Sequence, residues 1–320
     1  MSAPVSAPSY RLGLIGARGH VGTELIRLVN GHPNLSLAYV SSRERESRLL
    51  SDFEPDAPEG LRYVNYQPDQ AVLADADVVV LALPNGMAKP WSEAFDRAGS
   101  KALVLDLSAD FRFDPVWHYG LPELDRGQGS GRKRISNPGC YATAMQLAIA
   151  PMRGQLQGPV QCFGVSGYSG AGSAPSDKNN PQKLQDNIMP YSLAGHIHER
   201  EVARRMQCEV EFMPHVAPHF RGLSMTCNMH LKQASNPEQA LSIYRDFYCG
   251  EPLIEITPDA PWTNAVAGTP MARLGGFTLS ADGRRLVVVS VLDNLLKGAA
   301  SQALQNINLG LGLPETLGIV

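Results

Sequence analysis

The N-terminal part of the chain contains the pattern that most restricts how it can fold. A short apolar run at residues 10–15 leads into a segment with the spacing G-x-x-G-x-x-G, and an amphipathic run at 23–30 follows. Strand, glycine turn and helix in this order predict a nucleotide-binding α/β unit, because glycines let the backbone turn and approach a pyrophosphate. The same glycines would also suit an ordinary turn. The residues expected to contact a dinucleotide here are Gly16, Arg18, Gly19, His20 and Val21.

Three further apolar runs predict strands of the same sheet. Residues 36–40, 77–83 and 102–107 are nearly continuous in apolar side chains, as expected for parallel strands buried on both faces. Ligands of open α/β sheets bind beyond the carboxyl ends of the strands. We therefore expect the residues just past two of these ends to face a ligand, with plain turn chemistry as the alternative. These residues are Pro84, Asn85, Ser108 and Arg112.

The residues after the second strand bear on which dinucleotide binds. NAD-specific proteins of this type usually carry an acidic residue there, which binds the ribose hydroxyls. This chain has Ser41, Ser42 and Arg43, and two hydroxyls with a guanidinium suit a 2′-phosphate instead. The sequence therefore predicts NADP(H) as the cofactor. For Arg45 and Arg48, further along this charged run, a solvated loop is the alternative.

One cysteine stands where a nucleophile would be useful. Residues 137–143 read NPGCYAT, and the apolar run 141–152 that follows predicts a helix. Cys140 would then lie at a helix N-terminus, where unpaired N–H groups and the helix dipole favour the thiolate. The same N–H groups could stabilise an oxyanion formed when the thiolate attacks a carbonyl. A small buried cysteine is the competing interpretation.

The patterning changes after residue 151. Residues 223–231 alternate strictly between apolar and polar side chains, which predicts an antiparallel strand with Cys227 on the covered face and His230 in solvent. An α+β domain with a mainly antiparallel sheet is therefore expected. Its further predicted elements are strands at 160–165, 208–213, 253–256 and 286–291 and helices at 236–248 and 301–308.

Two domains are expected for a chain of 320 residues. A Rossmann-type NADP-binding domain would comprise residues 10–140 and 295–320, since the last helix is expected to return to it. Residues 141–294 would form the catalytic, substrate-binding domain. Residues 1–9 are rich in Ser, Pro and Ala without a basic start or an apolar core, which predicts a loose tail rather than a signal peptide.

A cysteine nucleophile needs a nearby proton carrier, which is usually a histidine. Two clusters offer one: His196 with His198, and His215 with His219. The sequence favours these clusters and does not choose between them. Either pair has a spacing that a metal ion could use, but a supporting carboxylate pattern is missing, so no metal site is predicted.

Bulk properties exclude several classes of function. The formal net charge is −3 and the pI is about 6.2, which indicates no basic surface for nucleic acid. Charged residues, Pro or Gly interrupt every apolar run well short of about 18 residues, which argues against a membrane role. The five cysteines are widely spaced without a C-x-x-C pair, as expected for a protein of the reducing cytoplasm.

Several motifs together resemble one family of enzymes. In chain order they are GARGHVG, LPNG, DLSADFR, YGLPE, NPGCYAT, HIHERE and DNLLKGAASQALQNINL. They are similar to the N-acetyl-γ-glutamyl-phosphate reductases of arginine biosynthesis, and the similarity spans nearly the whole chain. The resemblance implies a glyceraldehyde-3-phosphate-dehydrogenase-like pair of domains and a small-molecule substrate. It also implies a homodimer or homotetramer, with the second domain serving oligomerisation.

The resemblance further implies a reaction and residue roles. The family reduces an acyl phosphate with NADPH to a semialdehyde and releases phosphate. Cys140 matches the nucleophile that forms a thioester, and His196 matches its proton carrier. His198 and Glu201 match the rest of the family's H-x-H-x-x-E segment. Arg112 and Lys297 are expected to bind the carboxylate or the phosphate of the substrate. Asn294 is expected to form a hydrogen bond with the amide group of the nicotinamide.

The chain departs from the family pattern in three places. Many members carry a basic residue where this chain has Ser173, residues 174–181 are unusual, and His219 adds an imidazole within PHFRG. These departures leave open the substrate contacts and the N-acyl group. Two alternatives stand beside the reductase: an acyl-phosphate reductase like aspartate-semialdehyde dehydrogenase, and a non-catalytic NADP-binding regulator that has kept the fold.

Overall fold

The structure, a computed structural model, describes residues 9–320 and separates them into two compact units. The first unit comprises the described chain up to Gly120, Gly127–Asn137 and Ala303–Val320, and the second comprises Leu121–Arg126 and Pro138–Gln302. The predicted tail at 1–9 lies outside the described residues apart from Ser9. The units differ from the predicted domain limits at residues 121–126, 138–140 and 295–302, all of which belong to the second unit.

A parallel sheet forms the centre of the first unit. Its strands are β1 (Tyr10–Ile15), β2 (Leu35–Ser41), β3 (Tyr63–Val64), β4 (Val78–Leu81), β5 (Leu103–Asp106), β6 (His118–Tyr119) and β7 (Arg134–Ser136). They lie in the order β3-β2-β1-β4-β5-β7-β6, with every neighbouring pair parallel. The order reverses between β1 and β4, the switch point at which such sheets bind dinucleotides. The helices of this unit are α1 (His20–Asn30), α2 (Pro68–Leu73) and α3 (Lys89–Arg97).

Each glycine in the turn between β1 and α1 has a local reason. Gly16 adopts a φ of +83°, and a Cβ added to it would lie 2.1 Å from the carbonyl oxygen of Ala82. Gly19 is the extended residue that precedes α1. A Cβ on Gly22 would lie 2.6 Å from the carbonyl oxygen of Ala17, so only glycine lets helix and turn pack this closely.

A mixed sheet forms the centre of the second unit. Its strands are β8 (Val160–Gly167), β9 (Met189–Pro190), β10 (Val210–Ala217), β11 (Leu223–His230), β12 (Ile254–Ile256), β13 (Ala272–Leu279) and β14 (Arg285–Leu292). They lie in the order β12-β13-β14-β11-β8-β10-β9, antiparallel except for the parallel pairs β8–β10 and β12–β13. The predicted α/β fold class, a Rossmann-type sheet plus a mainly antiparallel one, is confirmed.

Helices cover one face of this second sheet. Those in contact with its strands are α4 (Cys140–Ile149), α6 (Ile197–Met206) and α7 (Pro237–Phe247). The short helix α5 (Pro181–Leu184) and a π-helical turn at Leu296–Ala300 belong to the same unit. Helix α8 (Ser301–Leu311) follows that turn, and its residues from Ala303 belong to the first unit. Every residue of α4 after the first is buried. Cys227 faces this core and His230 is exposed, as the alternation predicted. Within residues 9–320, none of the helices has the length and apolar character needed to span a membrane.

Candidate active site

Cys140 is the first residue of α4 and is half-buried. Gly139 precedes it in an extended conformation, and no side chain of the described residues caps the helix. The amide groups of the first helical turn and the helix dipole therefore favour the thiolate form of Cys140. Because the rest of α4 is buried, the thiol is fixed to a rigid element.

Two side chains of α6 hold the residue that precedes the cysteine. Glu201 is buried, and its Oε1 accepts a hydrogen bond from the Gly139 amide at 3.1 Å. The His198 ring covers Gly139 so closely that a Cβ there would lie 2.1 Å from His198 Nε2. The structure thus brings Cys140, His198 and Glu201 together, and it explains why glycine stands at position 139.

His196 stands at the start of α6. Its Nδ1 accepts a hydrogen bond from the backbone N–H of His198 at 3.2 Å and so caps the helix. Its ring lies edge-on to the His198 ring at 4.7 Å and to the Phe212 ring at 5.3 Å between centroids. Because Nδ1 is an acceptor here, Nε2 carries the proton of the neutral ring.

The structure distinguishes the two histidine clusters that the sequence left open. The His215 ring packs against Phe163 at 4.5 Å, on the sheet face opposite the one that α4 covers. His219 lies in an exposed turn, with Nε2 3.1 Å from the Gly222 carbonyl oxygen. The cluster of His196 and His198 is therefore the one beside Cys140.

Tyr191 belongs to the same site, although the sequence did not indicate it. Its ring lies edge-on to His196 at 5.7 Å between centroids. Burial raises the pKa of Tyr191, and the nearby charge of Cys140 raises it further. Tyr191 therefore stays neutral and keeps its hydroxyl proton. It follows the short strand β9, and no spacing rule relates such a residue to the histidines.

Two residues expected to contact substrate or cofactor are engaged inside the second unit. Lys297 and Glu123 have fully buried side chains, with Lys297 Nζ 2.6 Å from Glu123 Oε1. Asn294 accepts a hydrogen bond from the Gly222 amide at 2.8 Å and donates one to Ser169 Oγ at 2.9 Å. Lys297 thus forms a buried ion pair, and its contact with a substrate anion stays a prediction. Asn294 uses both ends of its amide to join two loops.

The π-helical turn that carries Lys297 also supports the cysteine. A Cβ on Gly298 would lie 2.6 Å from Cys140 Cβ, so the turn packs directly on the first residue of α4. Asp293 accepts hydrogen bonds from the amides of Leu295 and Leu296 and fixes the start of this turn. Its backbone oxygen also accepts from the Gly298 amide at 2.9 Å. The turn is thus a fixed support for the nucleophile.

Arg112 has backbone partners in the first unit. Its Nε donates to the Asn137 carbonyl oxygen and its Nη2 to the Leu107 carbonyl oxygen, both at 3.0 Å. The guanidinium therefore ties the end of β5 to the residues that follow β7. Contact of Arg112 with a substrate anion stays a prediction.

Backbone hydrogen bonds fix the glycine turn between β1 and α1. The amides of Gly16 and Ala17 donate to the Ser41 carbonyl oxygen, each at 3.1 Å, which ties the turn to the end of β2. His20 and Val21 begin α1 at the switch point of the sheet. Burial lowers the pKa of His20, so its ring is neutral at neutral pH. The N-terminus of α1 carries the positive end of the helix dipole, and contact of this turn with a dinucleotide stays a prediction.

Two serines and an arginine stand at the end of β2. Ser41 and Ser42 are buried, and Arg43 begins a short exposed turn. The acidic residue of that turn, Glu44, pairs with Arg18 of the glycine turn, with Arg18 Nε 2.6 Å from Glu44 Oε2. The negative charge of Glu44 is therefore neutralised by Arg18.

The loops after β4 and β5 are tied to each other. Asn85 Oδ1 accepts from the Ala109 amide at 3.0 Å, and the Pro84 carbonyl oxygen accepts from the Met87 amide at 3.2 Å. Ser108 is buried and donates its hydroxyl to Asp106 at 2.7 Å. Pro84 and Ser108 therefore lie at the carboxyl edge of the sheet, as predicted.

Asp106 should make the stability of the protein depend on pH. Burial raises its pKa to about 6 from an ordinary 3.8, against hydrogen bonds from Ser108 that lower it. The folded state therefore holds a proton that the unfolded state releases, and stability falls as pH rises from about 4 to about 6, by roughly 3 kcal/mol. In urea titrations across this range, Asp106→Asn should lose that component of the slope, and the exposed control Asp56→Asn should keep it. If the unfolding free energy of Asp106→Asn kept the same dependence on pH, a group other than Asp106 would be responsible for it.

Comparison with known proteins agrees with this geometry. Residues 11–130 match the model of the semialdehyde dehydrogenase NAD-binding domain, and residues 140–294 match that of the semialdehyde dehydrogenase dimerisation domain. N-acetyl-gamma-glutamyl-phosphate reductase of Stenotrophomonas maltophilia is 56% identical over 97% of this chain and 98% of its own length. The chain belongs to the N-acetyl-γ-glutamyl-phosphate reductase family. The same-named protein of Xanthomonas euvesicatoria is 58% identical over 96% of this chain and 98% of its own length.

Solved structures show the same fold in a more distant group. Aspartate semialdehyde dehydrogenase II of Vibrio cholerae, solved as a complex with ASA, superposes with a TM-score of 0.77 at 18% identity, over 96% of this chain and 99% of that one. The aspartate semialdehyde dehydrogenase of Candida albicans, solved with NADP, superposes with a TM-score of 0.72 at 17% identity, over 97% of this chain and 99% of that one. The predicted family and the predicted class, an oxidoreductase with a nicotinamide-dinucleotide domain, are confirmed. In the described part of this reductase-family chain, no three or more His, Cys, Asp or Glu side chains are grouped to hold a metal ion.

Proposed function

We propose that this protein reduces N-acetyl-γ-glutamyl phosphate with NADPH to N-acetyl-L-glutamate 5-semialdehyde and releases phosphate, in the biosynthesis of arginine. The observation that carries the proposal is the position of Cys140 at the start of α4, with His198 and Glu201 on the preceding glycine. Family membership at 56–58% identity to reductases of this name supports the choice of substrate.

The chemistry follows from the residues of the second unit. The Cys140 thiolate attacks the acyl carbon, a C–S bond forms, and the bond to the phosphate oxygen breaks, which leaves a thioester. When bound, the nicotinamide supplies the hydride that the thioester carbon receives. The Nε2–H of His196 donates a hydrogen bond to the oxygen that gains negative charge in the resulting thiohemiacetal, and this oxyanion re-forms the C=O bond as the C–S bond breaks. The semialdehyde leaves and the thiolate is regenerated.

NADP rather than NAD is supported by the end of β2. Ser41 and Ser42 carry hydroxyl groups at the end of β2, and Arg43 adds a cation in an exposed turn. Arg18 neutralises Glu44, the acidic side chain closest along the chain to this site. A 2′-phosphate, which carries negative charge, fits this set of groups better than a ribose hydroxyl does.

The reverse reaction tests the proposal. With NADP and inorganic phosphate, N-acetylglutamate semialdehyde should be oxidised, and aspartate semialdehyde should not be. NAD in place of NADP should give a much lower kcat/KM. Oxidation of aspartate semialdehyde alone would favour the sister acyl-phosphate reductase. A protein that binds NADPH and oxidises neither semialdehyde would be the non-catalytic regulator.

We propose that the protein works as a homo-oligomer, a dimer or tetramer, in the cytoplasm. The sheet face opposite α4 presents Phe163, which is 43% exposed, beside the half-buried Val287 and Val289. This face belongs to the segment that matches a dimerisation domain. The five free thiols fit a reducing compartment. Light scattering should give at least twice the chain mass of 34.6 kDa.

A further inference from the structure

The proposed substrate carries a carboxylate and a phosphate, and two cations of the second unit, one of them expected to bind such a group, are already engaged in ion pairs. Lys297 is fully buried against Glu123. Arg221 pairs with the buried Asp293, with Arg221 Nε 2.8 Å from Asp293 Oδ2. The second unit needs another positive charge near the cysteine, because a phosphate or carboxylate is poorly held without one.

Lys178 occupies such a position. Its Nζ lies 4.8 Å from the centroid of the Tyr191 ring, and that ring in turn lies 5.7 Å from the ring of His196. Tyr191 is also close enough to Cys140 for the thiolate charge to raise the Tyr191 pKa. The ammonium therefore lies on the same ring that packs against His196, the proposed proton carrier of the site.

The loop that carries Lys178 is braced from within. The Asn179 side chain donates from Nδ2 to the carbonyl oxygens of Gly172 and Ala174, at 2.8 and 2.7 Å, and accepts from the Ser176 amide at 2.8 Å. These bonds close the segment between the end of β8 and α5. They hold the backbone of Lys178 in place, although the loop lies at the surface.

The charge of Lys178 is not neutralised by a carboxylate. Among residues 9–320, no Asp or Glu oxygen lies within ion-pair distance of its Nζ, and its side chain is half-buried. The neighbouring Asp177 is instead paired with Lys183, with Lys183 Nζ 2.7 Å from Asp177 Oδ1. A half-buried cation on an aromatic ring, without a counter-ion, is well suited to receive an anionic ligand.

We propose that Lys178 binds an anionic oxygen group of the substrate, carboxylate or phosphate, and thereby contributes to substrate specificity. This role rests on the proposed function, because it assumes that Cys140 and Tyr191 face the substrate. It gives the unusual loop at 173–181 a place in the site. Tyr191 is the ring that holds the ammonium on the side of the site where His196 lies.

Steady-state kinetics of the reverse reaction test this role. Lys178→Met, which keeps the length and the contact with Tyr191, should raise the KM of one anionic substrate about five- to tenfold with kcat within twofold. A rise for inorganic phosphate assigns Lys178 to the phosphate, and a rise for the semialdehyde assigns it to the carboxylate. Lys178→Arg should restore most of the affinity. The control Lys183→Met, which removes the lysine of α5 that is paired with Asp177, should change neither KM.

Alkylation of Cys140 tests the same role without turnover. Iodoacetate is an anion and iodoacetamide is neutral, so a nearby ammonium accelerates only the first. Lys178→Met should lower the ratio of the two rates about threefold or more, relative to wild type and Lys183→Met. If the wild-type protein showed no reductase activity, the proposed function would be wrong. The ratio of the two alkylation rates could still be measured, because alkylation does not require turnover. Unchanged KM values together with an unchanged ratio would overturn the role of Lys178.

Discussion

Replacing Cys140 by serine should lower the rate of acyl-phosphate reduction at least about a thousandfold, with the fold intact. A serine hydroxyl is not ionised at neutral pH and forms no thioester that a hydride can reduce. The helix start at Gly139 and the contact with Gly298 do not depend on the sulfur atom, so thermal unfolding should be nearly unchanged. The measurement is NADPH oxidation at saturating N-acetyl-γ-glutamyl phosphate.

Two other cysteines provide controls for this result. Cys249 is exposed and lies outside the site, so Cys249→Ser should keep full activity. Iodoacetamide should modify Cys140 much faster than Cys162, because Cys162 is fully buried and its pKa is raised well above the ordinary value by the hydrogen bond with Cys227 and by burial. Residual activity above a few per cent in Cys140→Ser would exclude the thioester route.

The features that the sequence predicted best are those set by local chemistry. Gly16, Gly19 and Gly22 are required by a turn and by close packing, and the start of α4 follows from the chain breakers before Cys140. The strict alternation at 223–231 placed Cys227 and His230 correctly, because a strand with one covered face imposes a period of two. Such signals need no knowledge of distant contacts.

The features that the sequence did not predict depend on distant partners. Strand β13 was not predicted, because Gly275 and Gly276 interrupt its apolar pattern; Gly276 has a φ of +71°, and the pairing with β14 shifts register there. The choice between the histidine clusters depends on packing: His215 lies on the sheet face away from α4, whereas His198 of α6 packs on the residue before Cys140. Lys178 and Tyr191 meet across separate loops, and no spacing rule connects them.

Lys297 is the residue for which sequence and structure lead to different experiments. A lysine in a motif of the family suggested a cation for the substrate, but position 297 falls in the π-helical turn, where the side chain enters the core. There the ammonium is 2.6 Å from Glu123, with both side chains fully buried. Breaking a buried pair from one side leaves an uncompensated charge, which is much costlier than removing both.

Lys297→Met should therefore lower the free energy of unfolding by roughly 3–5 kcal/mol, measured by urea titration, and Glu123→Gln should have an effect in the same direction. The double variant should lose far less than the sum, because neither charge is then left alone in the core. The thiol should also become less reactive in Lys297→Met, since Gly298 of the same turn packs on Cys140. A Lys297→Met variant with wild-type stability and a raised KM would instead return Lys297 to the substrate site. Loss of activity is expected whether Lys297 binds the substrate or forms a structural ion pair with Glu123. Only the coupling between Lys297 and Glu123 in the unfolding free energies distinguishes the two roles.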